Sequence, residues 1–322
     1  MKQRSVGRSG LKVSHLALGT MTWGVETDGD EAAAQLIAFH DVGGTLLDTA
    51  ASYGYGGTEA LIGQLIAEVV PRTELVLATK AGITRTDEGR RVDASRGALL
   101  RQLDESLGRL GTDYVDLWYV HTVDDSTPFD ETLSALDAAV SSGKVRYAGV
   151  SNYCGWRIGR AATWQRAVPG RAPIVANQVR YSLLDRGVER EVVPACDELG
   201  VGIFPWSPLG GGLLTGKYRG GVPSDSRASG SGRTLPMDER PGAAGIVEAV
   251  ATAADGLATS PVAVALAWLR DRPGVSAPVL GARTLGQLTA ALACEALDLP
   301  PEIRDALDDV SAPVIDYPED VS

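Results

Sequence analysis

Residues 45–80 read TLLDTAASYGYGGTEALIGQLIAEVVPRTELVLATK, and the fold follows from the spacing of apolar positions in that run. TLLD (45–48) and LVLATK (75–80) are apolar at successive positions, as expected of strands covered on both faces. TEALIGQLIAEVV (58–70) between them has helical spacing. The three together form one strand-helix-strand unit, with strand starts about 30 residues apart.

The same unit recurs along the chain. Apolar runs at 15–19 (HLALG), 114–121 (YVDLWYVH), 145–151 (VRYAGVS), 173–178 (PIVANQ), 202–206 (GIFPW) and 276–280 (SAPVL) bring the expected strands to eight. Helical spacing fills residues 30–42 and 95–110. In the latter, Leu99, Leu100, Leu103, Leu107 and Leu110 share one stripe, while Arg101, Asp104, Glu105 and Arg109 lie off it. Gly43, Gly111, Gly143 and Gly200 stand where left-handed helix C-caps are expected. Eight units with no linker-like break predict an α/β fold, a (β/α)8 TIM barrel forming a single domain over residues 1–322. Two additions are expected. SVGRSGLKVS, before the first strand, has the glycine turn of a β-hairpin that plugs the barrel bottom. Residues 207–241, after strand seven, form a long loop rich in Gly, Ser, Arg and Pro, and loops of that length are usually functional. Residues 312–322 are expected to be irregular.

Composition narrows the partners. Among 322 residues, 30 Lys+Arg against 41 Asp+Glu give a net charge of −11, which disfavours nucleic acid or an anionic membrane surface. A small-molecule partner is expected instead. Cys154, Cys196 and Cys294 are far apart and form no CxxC pair, so neither a disulfide framework, a thiolate zinc site nor any other metal site is indicated. No stretch reaches the roughly 18 apolar residues of a membrane helix, and the N-terminus lacks a signal peptide's apolar run. The expected location is the cytoplasm.

Barrel active sites lie at the C-terminal ends of the strands. There strand two ends in Asp48, strand three in Lys80 and strand four in His121. Each alone has an ordinary structural role open to it: a turn cap, a snorkelling lysine, a core histidine. A carboxylate, an ammonium and an imidazole closing adjacent strands point together into one mouth. Tyr53, in a glycine-rich turn five residues beyond Asp48, can aim back over it. A phenol has a pKa near 10, so the expectation is that the Lys80 ammonium lowers it while Asp48 keeps Lys80 charged. With His121 on the same oxygen, the set is suited to protonating a developing alkoxide, as in carbonyl reduction.

With LLDTAASYG, LATKAG and YVHTVD around these four residues, the chain resembles the aldo-keto reductase family. The resemblance extends through ALGTMTWG (17–24), GVSNY (149–153), NQVRYS (177–182), WSPLGGGLLTGKY (206–218) and GARTLGQL (281–288), essentially the whole chain. It implies hydride transfer from a nicotinamide dinucleotide, NADPH with NADH possible, to an aldehyde or ketone, with Asp48, Tyr53, Lys80 and His121 catalytic and Tyr53 the general acid. It implies cofactor contacts from Gly19, Thr20, Met21 and Asp48, and carboxamide contacts from Ser151, Asn152 and Gln178. Trp206 stands at the stacking position. Ser207, Pro208, Leu209, Gly211 and Lys217 follow the pyrophosphate, the rest of the loop acting as a cover. Gly281, Arg283 and Gln287 meet the adenosine side, Arg283 suiting a 2′-phosphate. Many members carry adjacent Glu and Asn near the adenine, where this chain has Ala290 and Ala291. Ser151 and Asn152 could otherwise cap the following helix. GGLLTGK (211–217) matches the start of a triphosphate-binding loop but fails at Tyr218.

Trp23, Trp118, Trp156 and Trp206 are candidate pocket walls, with Trp23 foremost, beside Tyr53 and His121. His15 and His40 are expected to be structural. Two other functions compete: a cofactor-sensing regulatory subunit resembling potassium-channel β-subunits, and a Schiff-base lyase using Lys80.

Overall fold

The computed structural model describes residues 1–219 and 242–313; the later part of the expected long loop and most of the expected irregular tail lie outside them. The chain opens with the antiparallel hairpin β1 (Gln3–Ser5) and β2 (Lys12–Ser14). There follow β3 (Ala17–Gly19), α1 (Gly29–Asp41), β4 (Leu46–Asp48), α2 (Gly57–Glu68) and β5 (Val76–Ala81). A second hairpin comes next, β6 (Ile83–Thr86) and β7 (Gly89–Val92), and then α3 (Arg96–Leu110), β8 (Val115–Val120), α4 (Phe129–Ser141), β9 (Val145–Ser151) and α5 (Gly155–Arg166). The described chain ends with β10 (Ile174–Arg180), α6 (Val188–Glu198), β11 (Gly202–Trp206), α7 (Ala243–Gly256), α8 (Pro261–Arg270), β12 (Val279–Leu280), α9 (Leu285–Leu292) and α10 (Pro301–Val310).

Eight strands line up as β11-β10-β9-β8-β5-β4-β3-β12, every neighbouring pair parallel. The seam between β11 and β12 is joined just before β12, where Ile203 N–H donates to Gly274 O (2.9 Å) and Ser276 N–H to Ile203 O (2.8 Å). The expected (β/α)8 TIM barrel is what forms. The eighth strand is shorter than the apolar run at 276–280 implied, because its first part makes this seam bridge rather than a ladder.

Side chains alternate across each strand. Leu46, Ala78, Leu117 and Phe204 face the barrel interior, while Leu47, Leu77, Trp118 and Ile203 pack outward under the helices. Val6, Leu11 and Val13 of the N-terminal hairpin join the interior cluster, so the hairpin plugs the bottom as expected. Arg4 fastens it by donating to Arg270 O (2.9 Å) and Val275 O (2.8 Å). Higher in the interior, the Tyr119 and Phe204 rings meet edge to face at 6.3 Å. Gly149 makes room for them: a Cβ there would lie 2.8 Å from the Tyr119 ring.

Helix ends follow local chemistry. The Asp28, Ser95, Ser260 and Thr284 side chains cap α1, α3, α8 and α9, and Gly43, Gly111, Gly143 and Gly200 all have positive φ. Two features were not expected. One is the β6–β7 hairpin. The other is a second apolar cluster outside the barrel, where α7, α8 and α10 bring together Val250, Trp268 and Leu307.

Replacing Gly149 by Ala would force Tyr119 or the neighbouring strand to move, at about 1–3 kcal/mol. Gly108→Ala in α3, with open space around the new methyl, is expected to stabilise by about 0.5–1 kcal/mol. Thermal unfolding of the two variants should shift in opposite directions; a Gly149→Ala midpoint equal to wild type would contradict the packing described.

Candidate active site

Strand alternation delivers the site. Asp48 shares the inward face of β4 with Leu46, and Lys80 that of β5 with Ala78; His121 directly follows β8. Both Asp48 and Lys80 are buried, and Lys80 Nζ donates to Asp48 Oδ1 at 2.5 Å and to Thr49 O at 2.7 Å. The second carboxylate oxygen accepts from Gln178 Nε2 at 2.8 Å. The pair is therefore saturated with partners, the condition for two charges to sit in an apolar interior.

Tyr53 opens a 3-10 turn, Tyr53–Gly56, in which Gly54 and Tyr55 are left-handed (φ 52° and 54°). That reversal puts the Tyr53 ring 5.2 Å from Lys80 Nζ and 6.2 Å from the His121 ring, edge to face. Glu59 ties the start of α2 to the barrel. Fully buried, it accepts from Thr79 Oγ1 (2.6 Å) and from Arg109 Nε (2.9 Å). Glu59 was not singled out in the sequence, although it lies on the helical stripe of Ile62 and Ile66.

Burial pushes the Tyr53 phenol up, and the Lys80 charge and hydrogen bond offset this only in part. The expected net lowering is thus reversed: the group keeps its proton. Burial works against the Lys80 ammonium, but Asp48 and then Tyr53 outweigh it and hold its pKa above the ordinary value. A protonated, triply engaged lysine is a poor Schiff-base nucleophile. Burial, with Lys80, Arg90 and Arg85 adding to it, takes His121 down to about 3. Its imidazole is neutral, with Nδ1 enclosed and without a hydrogen-bond partner.

Around this centre run three arcs of the residues named from the sequence. At the ends of β9 and β10, Ser151 Oγ donates to Gln178 O (2.9 Å), and Asn152 Nδ2 to His121 O (3.1 Å) and Ser151 Oγ (3.0 Å). Trp206 Nε1 donates to Asn152 Oδ1 (3.0 Å), with the Arg180 guanidinium 4.7 Å from its ring centroid. Neither Ser151 nor Asn152 caps α5, whose cap position is Cys154. After β11, Ser207 takes a left-handed conformation (φ 55°) and accepts from Gly211 N–H at 3.1 Å. Pro208 is buried beside half-buried Leu209, and Lys217 lies 5.1 Å from the Tyr218 ring. In the third arc, Gly19 ends β3 and Thr20 donates to Asp48 O through both N–H and Oγ1, while Met21 is half-exposed. Thr22 Oγ1 donates to Ala282 O (3.1 Å) and Thr27 Oγ1 to Arg283 O (3.0 Å), binding this arc to Gly281, Arg283 and Gln287. Arg283 pairs with Glu26 at 3.6 Å, and its N–H donates to Gln287 Oε1.

Trp23 is not a pocket wall. It has no exposed surface, and its indole N–H donates to Gln35 Oε1 at 3.2 Å, so it supports the site from the core. Trp118 is equally buried, and Trp156 is largely exposed on α5 beneath the Arg157 guanidinium. His15 and His40 lie elsewhere, beside Glu295 and Glu74.

Comparison with known proteins matches residues 15–312 to the model of the aldo/keto reductase family. The chain is 36% identical over 321 residues to the uncharacterized oxidoreductase YrpG of Bacillus subtilis, covering 96% of each. It is 34% identical over 327 residues to a probable voltage-gated potassium channel subunit beta of Oryza sativa subsp. japonica, again covering 96% of each. With the L-glyceraldehyde 3-phosphate reductase of Escherichia coli K12 it shares 38% over 241 residues, 73% of this chain and 69% of that one.

The His121 environment sets an acid limit. Between pH about 6.5 and about 3 the unfolded chain protonates this ring while the folded protein does not, so its contribution to stability is complete above that window and is lost as pH falls through it. Urea unfolding of His121→Asn from pH 4 to 7 should show a shallower loss than wild type; identical slopes would refute a depressed His121.

Proposed function

The chain belongs to the aldo/keto reductase family and is an NAD(P)H-dependent oxidoreductase; from that premise we propose that it reduces a small aldehyde or ketone with NADPH, Tyr53 donating the proton. The observation that carries this is the buried Lys80–Asp48 pair at 2.5 Å beside Tyr53 and His121. Tyr53 is held protonated by burial, so its Oη has a proton to give to the carbonyl oxygen. Lys80 then faces the phenolate left behind, and its charge, held by Asp48, is strongest in that state. His121 hydrogen-bonds the same oxygen. An enclosed bare lone pair on Nδ1 costs less than a buried unmade N–H, so the ring proton belongs on Nε2 and points at substrate.

The rim fits the cofactor. Asn152 and Gln178 offer an amide both donors and acceptors. Gly211 and Gly281 leave open space where a Cβ would stand, permitting close backbone approach. When bound, the nicotinamide supplies the hydride. Trp206 would offer its ring as the stacking face, and Asn152 and Gln178 would hold the carboxamide, with Ser151 holding the Gln178 backbone. On the adenosine side Arg283, which lies beside Glu26, would meet a 2′-phosphate, and a guanidinium suits that dianion, which favours NADPH.

A second reading, a cofactor-sensing regulatory subunit, is supported by the full-length likeness to the rice channel subunit. Turnover separates the two. Among the described residues no single helix is long and apolar enough to cross a membrane.

Tyr53→Phe should lower kcat/KM for 4-nitrobenzaldehyde by about 10²–10⁴ while NADPH still binds, as read by fluorescence titration; equal turnover would overturn the role of Tyr53. Arg283→Ala is expected to weaken NADPH binding about 10–100-fold and leave NADH nearly unchanged. Parallel loss of both cofactors would remove Arg283 from the phosphate site.

A further inference from the structure

The second hairpin occupies a position that the proposed reduction leaves unexplained. It begins three residues after Lys80, and β6 packs against the turn that carries Tyr53. Its register pairs Ile83 with Val92 and Arg85 with Arg90 on one face, and Thr84 with Arg91 on the other. Gln102 of α3 holds the root, accepting from Gly82 N–H at 2.9 Å and donating to Thr84 Oγ1 at 3.4 Å. The Thr84 face is thereby turned to α3 and the Arg85–Arg90 face to the mouth. Consistent with this, Arg85 acts electrostatically on both Tyr53 and His121, and Arg90 on His121.

Directly opposed like charges destabilise a strand pair. Arg85 and Arg90 are exposed, and among the described residues neither has an ion-pair partner; Asp87 and Glu88 in the intervening turn form none with them. Two opposed guanidiniums on the hairpin that packs against the Tyr53 turn are a cost that an anion held between them would offset. Topology identifies which anion. In the barrel order, β5 stands directly across from β11, and the loop after β11 is the arc assigned to the cofactor pyrophosphate. The hairpin is therefore on the substrate side.

We propose that Arg85 and Arg90 form a receptor for an anionic group, a carboxylate or phosphate, on the carbonyl substrate that Tyr53 and His121 engage. The proposal rests on the reductase reading for the identity of the site. Two guanidiniums across a strand pair can each donate to different oxygens of one oxyanion, a geometry that a neutral substrate cannot use.

The test compares charged with neutral carbonyls: 4-carboxybenzaldehyde against 4-nitrobenzaldehyde, and glyceraldehyde 3-phosphate against glyceraldehyde. Wild type, Arg85→Gln, Arg90→Gln, the double variant and Arg91→Gln are assayed with NADPH. The double variant should lose about 10–100-fold in kcat/KM for a charged substrate and little for its neutral partner, with Arg91→Gln unchanged. Whichever anion shows the larger loss names the group. Calorimetry of the NADP-loaded protein with glycerol 3-phosphate and with 4-(hydroxymethyl)benzoate reads binding without turnover. Binding that weakens at least about tenfold in the double variant supports the receptor even if no aldehyde is reduced, in which case only the reductase reading fails. Absence of binding of both anions to wild type, or equal binding by wild type and double variant, overturns the receptor.

Discussion

A charged lysine buried at the end of a barrel strand is tolerable only if its charge is answered, and the Lys80–Asp48 contact at 2.5 Å answers it. Removing two charges from water costs several kcal/mol per ion, and a buried pair recovers this only when the remaining donors and acceptors are satisfied. Here Thr49 O takes a second ammonium proton, and Gln178 fills the second carboxylate oxygen. Those two partners come from the chain beyond β4 and from β10. The pair therefore demands a closed barrel: β4, β5 and β10 must all be in register before the charges are stable. It does not make the protein more stable than an apolar core would; it sets the electrostatics on which the rest of the site depends.

From that pair the influence passes outward through contacts of different kinds. Lys80 favours a phenolate at Tyr53 while burial opposes it, and burial wins. The same ammonium, after burial, helps keep His121 neutral. One protonated phenol and one neutral imidazole thus arise from burial acting together with a single buried cation. Glu59 holds the geometry from behind: bonded to Thr79 and Arg109, it fixes the turn bearing Tyr53 against the strand bearing Lys80. The ring of Gln178, Ser151, Asn152 and Trp206 continues the network to the opposite rim.

The net charge of −11 does not prevent local groupings of cations. Arg283 pairs with Glu26 in the segment after β12, and Arg85 and Arg90 oppose each other across the second hairpin. On the proposed reading, an anionic cofactor and an anionic substrate would each meet local cations despite the acidic balance of the chain. Net charge describes solubility and long-range field, whereas binding follows the handful of guanidiniums that a strand end or turn brings within a few ångströms.

Apolar runs and helical spacing were enough to place the eight strands, several of the helices between them and the neighbourhood of Asp48, Lys80 and His121 at the strand ends, and a glycine turn was enough for the hairpin plug, because these signals are written in local order. The motifs around those residues were enough to carry the family. Other features depended on parts of the chain far apart in sequence. Trp23 looked like a pocket wall since it follows β3, but Gln35 and the surrounding core enclose it. The direction of the Tyr53 shift required the balance of burial against charge, which no spacing encodes. The β6–β7 hairpin left a signal, TRTDEGRRV with its turn at Asp87 and Glu88, short and polar enough to pass as loop. Its facing was decided only by Gln102, anchoring one side to α3. Sequence determined which groups reach the barrel mouth; tertiary structure decided their protonation and their opposition across it, since both are set by neighbours that meet only when the barrel closes.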